Sequence, residues 1–278
     1  KEVVITGVTS ANTALVDGTM VEINGNTAGM DGATMMFSSS STIDQTIFSN
    51  IYFNAADNAK TCYHQEDTGA HGVMFTNCRF SSATEYGFVI DASSYYKFTN
   101  CRFDNNASDG LKWNSTQYGL IYKSLFDNNG GDGARLGWSL EVVECVFFGN
   151  SGDGCHSSNS NVTHINNVFD SNFNHGCRVE GSGHSLHIGN IYSNNGSGGA
   201  GGAGIQIGSA AEARGYNCLF YNNDTNWANT GGTDHLSLYN SITGGSDPGF
   251  LQPYGPTFDF TPTATFSGIG SGLPTPFT

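Results

Sequence analysis

Charged side chains are scarce in this sequence of 278 residues, where Lys, Arg, Asp and Glu together make up 12%. Basic residues are the rarest, with 10 Lys and Arg against 24 Asp and Glu, and the formal net charge is −14. Such a charge repels nucleic acid and anionic lipid, so we expect neither as a partner. No apolar run has membrane-spanning length, and no signal peptide is visible. The chain begins with Lys1 rather than Met, which predicts a processed product or a fragment.

Proline is absent before Pro248, and the first 47 residues contain no amphipathic helical pattern. Glycine is abundant at 38 residues, and Asn, Ser and Thr replace Lys and Glu. This composition favours turns and short strands over helices. Hydrophobic residues at 37% and aromatic residues at 12% argue against disorder.

The sequence repeats itself between Phe98 and Val179. Residues 98–111 read FTNCRFDNNASDGL, and residues 121–134 read IYKSLFDNNGGDGA. The equivalent phenylalanines of four successive repeats are 23, 21 and 22 residues apart (126 − 103, 147 − 126 and 169 − 147). A period of this length, with alternating apolar and polar residues and with Asn and Gly between them, predicts one coil of a solenoid.

Aligning the repeats places like residues in three columns. The first predicts an internal aromatic stack of Phe80, Phe103, Phe126, Phe147, Phe169, Tyr192 and Phe220. The second contains small side chains: Cys78, Cys101, Ser124, Cys145, Asn167, Asn190 and Cys218. The third predicts a ladder of hydrogen-bonded amides at Asn106, Asn129, Asn150, Asn172, Asn195 and Asn223. Strands stacked in this way are parallel, and about eight coils at roughly 4.8 Å each form a rod about 40 Å long.

The F-x-N-N-x-x-D-G frame with its asparagine ladder resembles the right-handed parallel β-helix proteins of the pectate-lyase-like superfold, over residues 48–243. The resemblance implies an all-β solenoid of about eight coils with roughly 21–28 residues each. Residues 1–47 are expected to form irregular strands or a cap. Residues 244–278, rich in Pro and Phe, are expected to form an extended tail on the outside. An outward stripe, predicted to be exposed and apolar, is covered by this tail or by another subunit; it includes Leu125, Val146, Val168, Ile191 and Leu219.

The seven cysteines cannot all pair with one another. Cys78/Cys101 and Cys155/Cys177 lie on adjacent predicted coils, close enough for a disulfide. Inward cysteines in such columns behave as small buried hydrophobes, so we predict free buried thiols. There is no C-x-x-C pair, and zinc or redox chemistry is weakly indicated. His164 and His187 share a column, which we interpret as structural.

An acidic column, Asp109, Asp132 and Asp153, precedes a glycine in each coil and continues as His175. One interpretation is a tight Asp-Gly turn with Gly at positive φ. The other is a metal site, because three like charges at coil spacing repel unless a cation or a base lies nearby. Three residues after each member comes a basic column: Lys112, Arg135, His156 and Arg178.

One interpretation is that the acidic and basic columns neutralise each other. The other is that they resemble the catalytic arrangement of pectate-lyase-like enzymes, in which carboxylates hold Ca²⁺ and an Arg or Lys removes a proton. We favour neutralisation and predict no catalytic set; the alternative set is Asp132, Asp153, Arg135 and Arg178, with Ca²⁺ as its cofactor. The N-x-D, D-D, G-H-G and R-x-K motifs of polygalacturonases are not found as a set.

Aromatic residues on turns suggest a second kind of site. The turn aromatics that could stack on sugar rings are Tyr95, Tyr96, Tyr118, Trp138 and Trp227. Of these, Tyr96, Tyr118 and Trp138 are the candidate glycan-binding residues, with packing at coil edges as the alternative. The sequence therefore predicts a structural extracellular or virion-surface β-helix of the phage tailspike type. Glycan binding is a second, separate part of this prediction. Expected partners are further copies of the chain or other virion or cell-surface proteins, with polysaccharide as an additional candidate. The oligomeric state is left open, and the resemblance to virion proteins makes a trimer one of the candidates. The alternative function is a calcium-dependent polysaccharide lyase or depolymerase.

Overall fold

The computed structural model describes residues 2–6, 21–24, 33–37, 45–65, 72–91, 95–114, 118–197, 201–208, 210–229, 236–243, 250–252 and 259–262, with side chains between residues 46 and 243. This part of the chain contains 31 strands, numbered in chain order, and no helix. No helix able to span a membrane is found among the described residues.

Three parallel sheets contain almost all of the strands. Sheet I consists of β1 (Glu2–Thr6), β4 (Gln45–Ser49), β7 (Gly72–Thr76), β10 (Tyr95–Thr99), β13 (Gly119–Tyr122), β16 (Leu140–Val143), β19 (Asn161–Ile165), β22 (His184–Ile188), β25 (Glu212–Tyr216) and β28 (Leu236–Tyr239). Sheet II consists of β2 (Val21–Asn24), β5 (Ile51–Asn54), β8 (Arg79–Ser81), β11 (Arg102–Asp104), β14 (Leu125–Asp127), β17 (Val146–Phe148), β20 (Val168–Asp170), β23 (Ile191–Ser193), β26 (Leu219–Tyr221) and β29 (Ile242–Thr243). Sheet III consists of β3 (Ala33–Phe37), β6 (Thr61–Gln65), β9 (Tyr86–Ile90), β12 (Leu111–Trp113), β15 (Ala134–Gly137), β18 (Cys155–Ser158), β21 (Cys177–Glu180), β24 (Ala203–Ile207) and β27 (Thr225–Asn229). A separate antiparallel pair consists of β30 (Phe250–Gln252) and β31 (Asp259–Pro262).

Each coil contributes one strand to sheet I, one to sheet II and one to sheet III, and then returns to sheet I beside its first strand. The strands β4 to β27 make eight such coils, which confirms the predicted all-β right-handed parallel β-helix. The strands β1 to β3 pair in parallel with β4 to β6. The division of the chain at residues 47 and 243 stays a prediction, and the predicted packing of the tail lies outside the described residues.

Asparagine shapes the corner between sheets I and II. There the chain changes direction at a residue with positive φ, a conformation that asparagine tolerates better than most side chains. The asparagines at this corner are Asn50, Asn77, Asn100, Asn166, Asn217 and Asn240. The abundance of asparagine in the sequence therefore reflects the repeated corners of the solenoid.

The predicted aromatic column is internal. Phe103, Phe126 and Phe147 stack with centroid separations of 4.7 Å, and their planes deviate by 1° and 5°. The stack continues through Phe169, Tyr192 and Phe220, and all these rings are fully buried. All seven cysteines are buried free thiols, as predicted.

The asparagine ladder is also present. The side-chain amide of Asn129 donates to Oδ1 of Asn150 at 2.9 Å and to the Phe103 carbonyl at 3.0 Å. Its own Oδ1 accepts from the side-chain amide of Asn106 at 2.9 Å. The same link joins each further pair as far as Asn223. The ladder thus satisfies buried polar groups of successive coils at the turn between sheets II and III.

Removing one amide of the ladder is expected to destabilise the fold. Asn129→Ala removes the acceptor shared by the backbone N–H and the side-chain amide of Asn106, and the side-chain donor to the Phe103 carbonyl. We therefore expect a loss of about 1–3 kcal/mol in the free energy of unfolding. Denaturant unfolding followed by circular dichroism measures it. Asn161→Ala, at an exposed amide, is the control and should be neutral. A neutral Asn129→Ala would contradict the ladder.

The outward stripe on sheet II is buried over part of its length. Val168 and Ile191 are 1% exposed and Leu219 is 0% exposed, and they pack with Phe148 in a second apolar cluster. Leu125 and Val146 are half-buried. Burial is the result expected of a covered stripe, and what covers it stays a prediction. The predicted cover, residues 244–278, lies outside the described side chains.

Candidate functional site

A column of carboxylates lies at the turn between sheets II and III. Oδ1 of Asp109 accepts a hydrogen bond from the backbone N–H of Asp132 at 2.8 Å. Asp132 Oδ1 accepts from the N–H of Asp153 at 2.9 Å, and Asp153 Oδ1 from the N–H of His175 at 3.1 Å. One oxygen of each carboxylate is therefore bound to the backbone of the next coil, which explains why all three are buried.

The second oxygen of each carboxylate faces the basic column on the outer side of sheet III. Arg135 Nε lies 3.2 Å from Oδ2 of Asp109, and Arg135 Nη2 lies 3.2 Å from Oδ2 of Asp132. Arg178 Nη1 lies 3.9 Å from Oδ2 of Asp153. The structure thus brings together the alternative catalytic set, Asp132, Asp153, Arg135 and Arg178. The same arrangement serves charge neutralisation or catalysis, so it does not distinguish the two interpretations.

His156 is the centre of this charged corner. Its Nδ1 lies 3.3 Å from Oδ2 of Asp132, and its Nε2 lies 3.1 Å from both Oε2 of Glu180 and Oγ of Ser158. Arg178 forms an ion pair with the same Glu180. The sequence placed His156 only in the basic column and missed Glu180. The signal for Glu180 is its position two residues after Arg178 on strand β21, where alternation places both side chains outward.

The surroundings of Asp132 and Asp153 shift the pKa values of these two carboxyl groups in opposite directions. Burial, with the charge of Asp132 adding to it, raises the pKa of Asp153 to about 7. Burial acts in the same direction on Asp132, but the hydrogen bonds from His156 and from the backbone N–H of Asp153, together with the charges of His156 and Arg135, outweigh it and lower the pKa of Asp132. Burial opposes the charged form of His156, yet Asp132 raises the pKa of that imidazole. Burial and the nearby Arg178 lower the pKa of His175 to about 4. An ionised carboxylate therefore lies beside a carboxyl group that titrates near neutrality.

The glycines after the acidic column were predicted to have positive φ, and this is wrong. None of the four has positive φ; they are Gly110, Gly133, Gly154 and Gly176. Close approach between coils requires them instead, because a Cβ on Gly133 would lie 2.5 Å from the Gly154 carbonyl oxygen and 2.9 Å from Nδ2 of Asn150. The turn is therefore specified by packing against the ladder.

Potential metal ligands lie close together at the same corner. Asp132, Asp153 and His156 each place a ligand atom within 4.8 Å of the other two. The predicted metal set differs from this group, because Oδ2 of Asp109 faces Arg135 and the imidazole takes its place. Two carboxylates and one imidazole fit a divalent cation by charge, although ion pairs already occupy the carboxylates. The metal site stays a prediction.

A shallow groove crosses the outer face of sheet I, away from the charged corner. It consists of two adjoining hollows that share Asn161 and Thr163. The larger hollow has a volume of about 390 Å³ and is bordered by Tyr95 and Tyr118. Its other lining residues are Gly119, Leu120, Ser139, Leu140 and Glu141. The second hollow continues past Val162, His184, Ser185, Leu186, Glu212 and Arg214. The groove therefore runs across the strands from β10 to β25.

The three predicted glycan-binding aromatics have different positions. Tyr118 is 69% exposed at the larger hollow. Trp138 is 51% exposed but does not line either hollow. The prediction that Tyr96 binds glycan is wrong, because this residue is fully buried. Its ring packs edge-on against Trp113, with 5.6 Å between the ring centroids. Alternation along β10 points Tyr96 inward and its neighbour Tyr95 outward, so Tyr95 is the exposed aromatic here.

Comparison with known proteins supports the fold. The family model described as the right handed beta helix region matches residues 56–195. A search of curated proteins found no match. Pectate lyase Pel9A is similar with a TM-score of 0.59 and 14% identity, over 96% of this chain and 90% of that one. The A-module of the Azotobacter vinelandii mannuronan C-5 epimerase AlgE4 is similar with a TM-score of 0.53 and 11% identity, over 88% of this chain and 89% of the A-module chain. ORF18 of Geobacillus virus E2 is similar with a TM-score of 0.53 and 13% identity, over 86% of this chain and 47% of the viral one.

Proposed function

This chain belongs to the family of right-handed β-helix regions, and from that premise we propose that it binds a polysaccharide along the outer face of sheet I as an extracellular or virion-surface module. The observation that carries the proposal is the continuous groove bordered by Tyr95 and Tyr118. Exposed tyrosines combine an apolar ring, which packs on the face of a sugar, with a hydroxyl group that hydrogen-bonds.

The form of the groove suits a long ligand better than a small molecule. It is open along its length and crosses six strands of sheet I, which at roughly 4.8 Å per strand makes about 24 Å. Polar groups line the apolar floor, among them Glu141, Thr163 and Arg214. An extended chain with many hydroxyl groups matches this alternation. Because the protein has a net charge of −14, the ligand we propose is a neutral polysaccharide.

The location and partners are part of the same proposal. A β-helix with a viral protein among its structural neighbours fits a virion surface, and pectate lyase as a neighbour fits an extracellular protein. Further copies of the chain, or other surface proteins, are the partners we propose. Each of these structural neighbours supports the proposed location only through its shared fold.

Binding is tested with a panel of neutral and acidic polysaccharides by affinity electrophoresis and calorimetry. The unmodified protein is expected to bind at least one neutral polymer. Tyr118→Ala should weaken that binding about tenfold, the effect of losing roughly 1.4 kcal/mol of contact. Phe173→Ala removes another exposed aromatic, one outside the groove, and should bind normally. Absence of binding, or equal weakening by both variants, would refute the groove as the site.

A second candidate function is a calcium-dependent polysaccharide lyase at the charged corner. The observation that favours it is the convergence of Asp132, Asp153 and His156 within 4.8 Å beside Arg178. In this mechanism Asp132 and Asp153 would hold Ca²⁺ against the carboxylate of a uronate. Arg135 or Arg178 would remove the proton from the carbon that bears this carboxylate, while the glycosidic bond at the neighbouring carbon breaks. Pectate lyase and mannuronan epimerase as structural neighbours are consistent with it through the fold.

Depolymerisation of acidic polysaccharides, with and without Ca²⁺, tests this candidate. Asp132→Asn with Arg135→Ala removes the charges while an amide oxygen still accepts from the N–H of Asp153, so the turn is preserved. Under the lyase hypothesis the unmodified protein cleaves only with Ca²⁺ and the double variant loses at least 100-fold of the rate. Cleavage that is independent of Ca²⁺ and equal in both proteins would exclude the corner. No cleavage on the whole panel would exclude the lyase function and leave the binding proposal intact.

A further inference from the structure

Two thiols and an imidazole meet inside the β-helix, on the opposite side of sheet III from the charged corner. Cys155 on β18 and Cys177 on β21 are in register, and His164 lies on β19 of sheet I. All three side chains are 0% exposed. Their sulfur and nitrogen atoms lie within 4.8 Å of one another, and Cys177 Sγ is 3.8 Å from His164 Nε2.

These two thiols differ from the other five. Each of the others donates to a backbone carbonyl oxygen at a distance between 3.2 and 3.5 Å; they are Cys62, Cys78, Cys101, Cys145 and Cys218. Among the described residues, no carbonyl oxygen accepts from Cys155 or Cys177. Five thiols are thus part of the backbone hydrogen bonding, and the remaining two face the imidazole.

The histidine also differs from its neighbour in the column. His164 and His187 stack with centroids 4.8 Å apart and planes 6° apart. Both nitrogens of His187 have partners, Ser185 Oγ at 2.9 Å and the Tyr192 hydroxyl at 2.6 Å. Nδ1 of His164 has no hydrogen-bond partner within the described residues, and the same holds for the buried Oγ of Ser157. The nitrogen of His164 that faces the thiols is Nε2, and Cys177 Sγ is its one hydrogen-bond partner among the described residues, so Nε2 is available to a ligand in a way that neither nitrogen of His187 is.

We propose that Cys155, Cys177 and His164 bind a zinc ion inside the β-helix. Zinc bond lengths of about 2.3 Å to sulfur and 2.0–2.1 Å to nitrogen place S and N about 3.6 Å apart in a tetrahedral site. The observed 3.8 Å between Cys177 and His164 is close to this value. On binding, both thiols release their protons to solvent, and two thiolates with a neutral imidazole leave a Zn²⁺ site with no net charge. Neutrality is the condition under which an ion is tolerated in an apolar core.

The closed location determines how the metal enters. The three ligands come from two sheets of adjacent coils, and the site has no opening among the described residues, since each ligand is fully buried. Zinc therefore enters while the coils assemble, and afterwards it exchanges slowly. Metal added during refolding is expected to bind, whereas a chelator added to the folded protein is expected to remove little of it.

Refolding the full chain with Co²⁺, a spectroscopic substitute for Zn²⁺, tests the site. We expect one equivalent per chain with thiolate-to-cobalt charge-transfer absorption. His164→Val and Cys155→Ala introduce the residues that their columns have in the preceding coil, Val142 and Ala134, so both variants are designed to fold. Each should lose the absorption band. Cys145→Ser alters a buried thiol outside the cluster and should keep it.

X-ray absorption on the zinc-refolded unmodified protein gives a result that depends on no variant. Two sulfur neighbours at about 2.3 Å and a nitrogen at about 2.0–2.1 Å would support the proposal. A shell of oxygen and nitrogen only, a band that survives His164→Val, or no bound metal would overturn it. A chain mass lower by two hydrogens, from a Cys155–Cys177 disulfide, would overturn it as well.

Discussion

Replacing Phe126 with alanine is expected to lower the free energy of unfolding by about 3–5 kcal/mol, the range for deleting a buried phenylalanine. The ring lies between Phe103 and Phe147, with 4.7 Å between centroids on both sides, and it is 0% exposed. Its loss leaves a cavity that the neighbouring coils cannot close, because their spacing is determined by strand pairing on three sheets. Urea unfolding followed by far-ultraviolet circular dichroism measures the change.

The matched control is Phe173→Ala, which deletes the same side chain where it is 49% exposed. We expect a change within about 0.5 kcal/mol, as for other surface positions. If the two variants lost equal stability, Phe126 would not be part of a packed internal stack. Comparing the m-values of the two variants shows whether unfolding stays cooperative along the solenoid, because a cavity between coils in a repeat protein can uncouple its two halves.

The sequence predicts the core and the ladder well for a physical reason. Each coil must place its inward side chains against those of the previous coil, so Phe126 stacks on Phe103 and Asn129 bonds to Asn106. The repeat period alone therefore specifies the register of parallel strands, and a one-residue slip would turn the phenylalanines outward. The cysteine columns follow from the same register.

The candidate sites are predicted less well, because they depend on distances across coils and on irregular turns. Tyr96 was assigned to the surface although alternation from the inward Phe98, two residues later on β10, already places it inside. The groove is a property of several strands together and has no local motif. The role of Gly133 comes from the close approach of the Gly154 carbonyl, which no local pattern encodes. His156 was visible as a column member, but its contact with Glu180 connects two coils.

The buried ion pairs on sheet II were also missed, although their signal is present. In the segment Arg102-Phe103-Asp104 the two charged residues flank an inward phenylalanine, so alternation places both on the outer side of the strand. Arg102 donates through Nε and Nη2 to Asp127 of the next coil at 2.9 and 2.7 Å. Asp127 is 0% exposed, which the sequence does not indicate.

Arg102→Leu is expected to destabilise the protein by about 3 kcal/mol, the lower end of the range for breaking a buried ion pair, because the arginine side chain is 32% exposed. Asp127 keeps the amide of Asn128 at 2.9 Å but loses its bidentate counter-charge. Thermal and urea unfolding at neutral pH measure the loss. Arg102→Leu with Asp127→Leu removes both charges and should recover most of it, since an apolar pair needs no counter-charge. Equal losses in the single and double variants would mean that the arginine acts through packing.

The same prediction has a pH dependence that identifies its cause. Burial already raises the pKa of Asp127, and Arg102 opposes that rise. In Arg102→Leu the pKa in the folded state therefore rises further above the unfolded value of about 3.9. A group with a raised folded pKa contributes its stability fully below the unfolded value and loses it as the pH rises through the folded value. The deficit of the variant should therefore be small near pH 4 and should grow towards pH 7. A deficit that does not change with pH would assign the effect to lost packing of the arginine side chain instead of an uncompensated carboxylate.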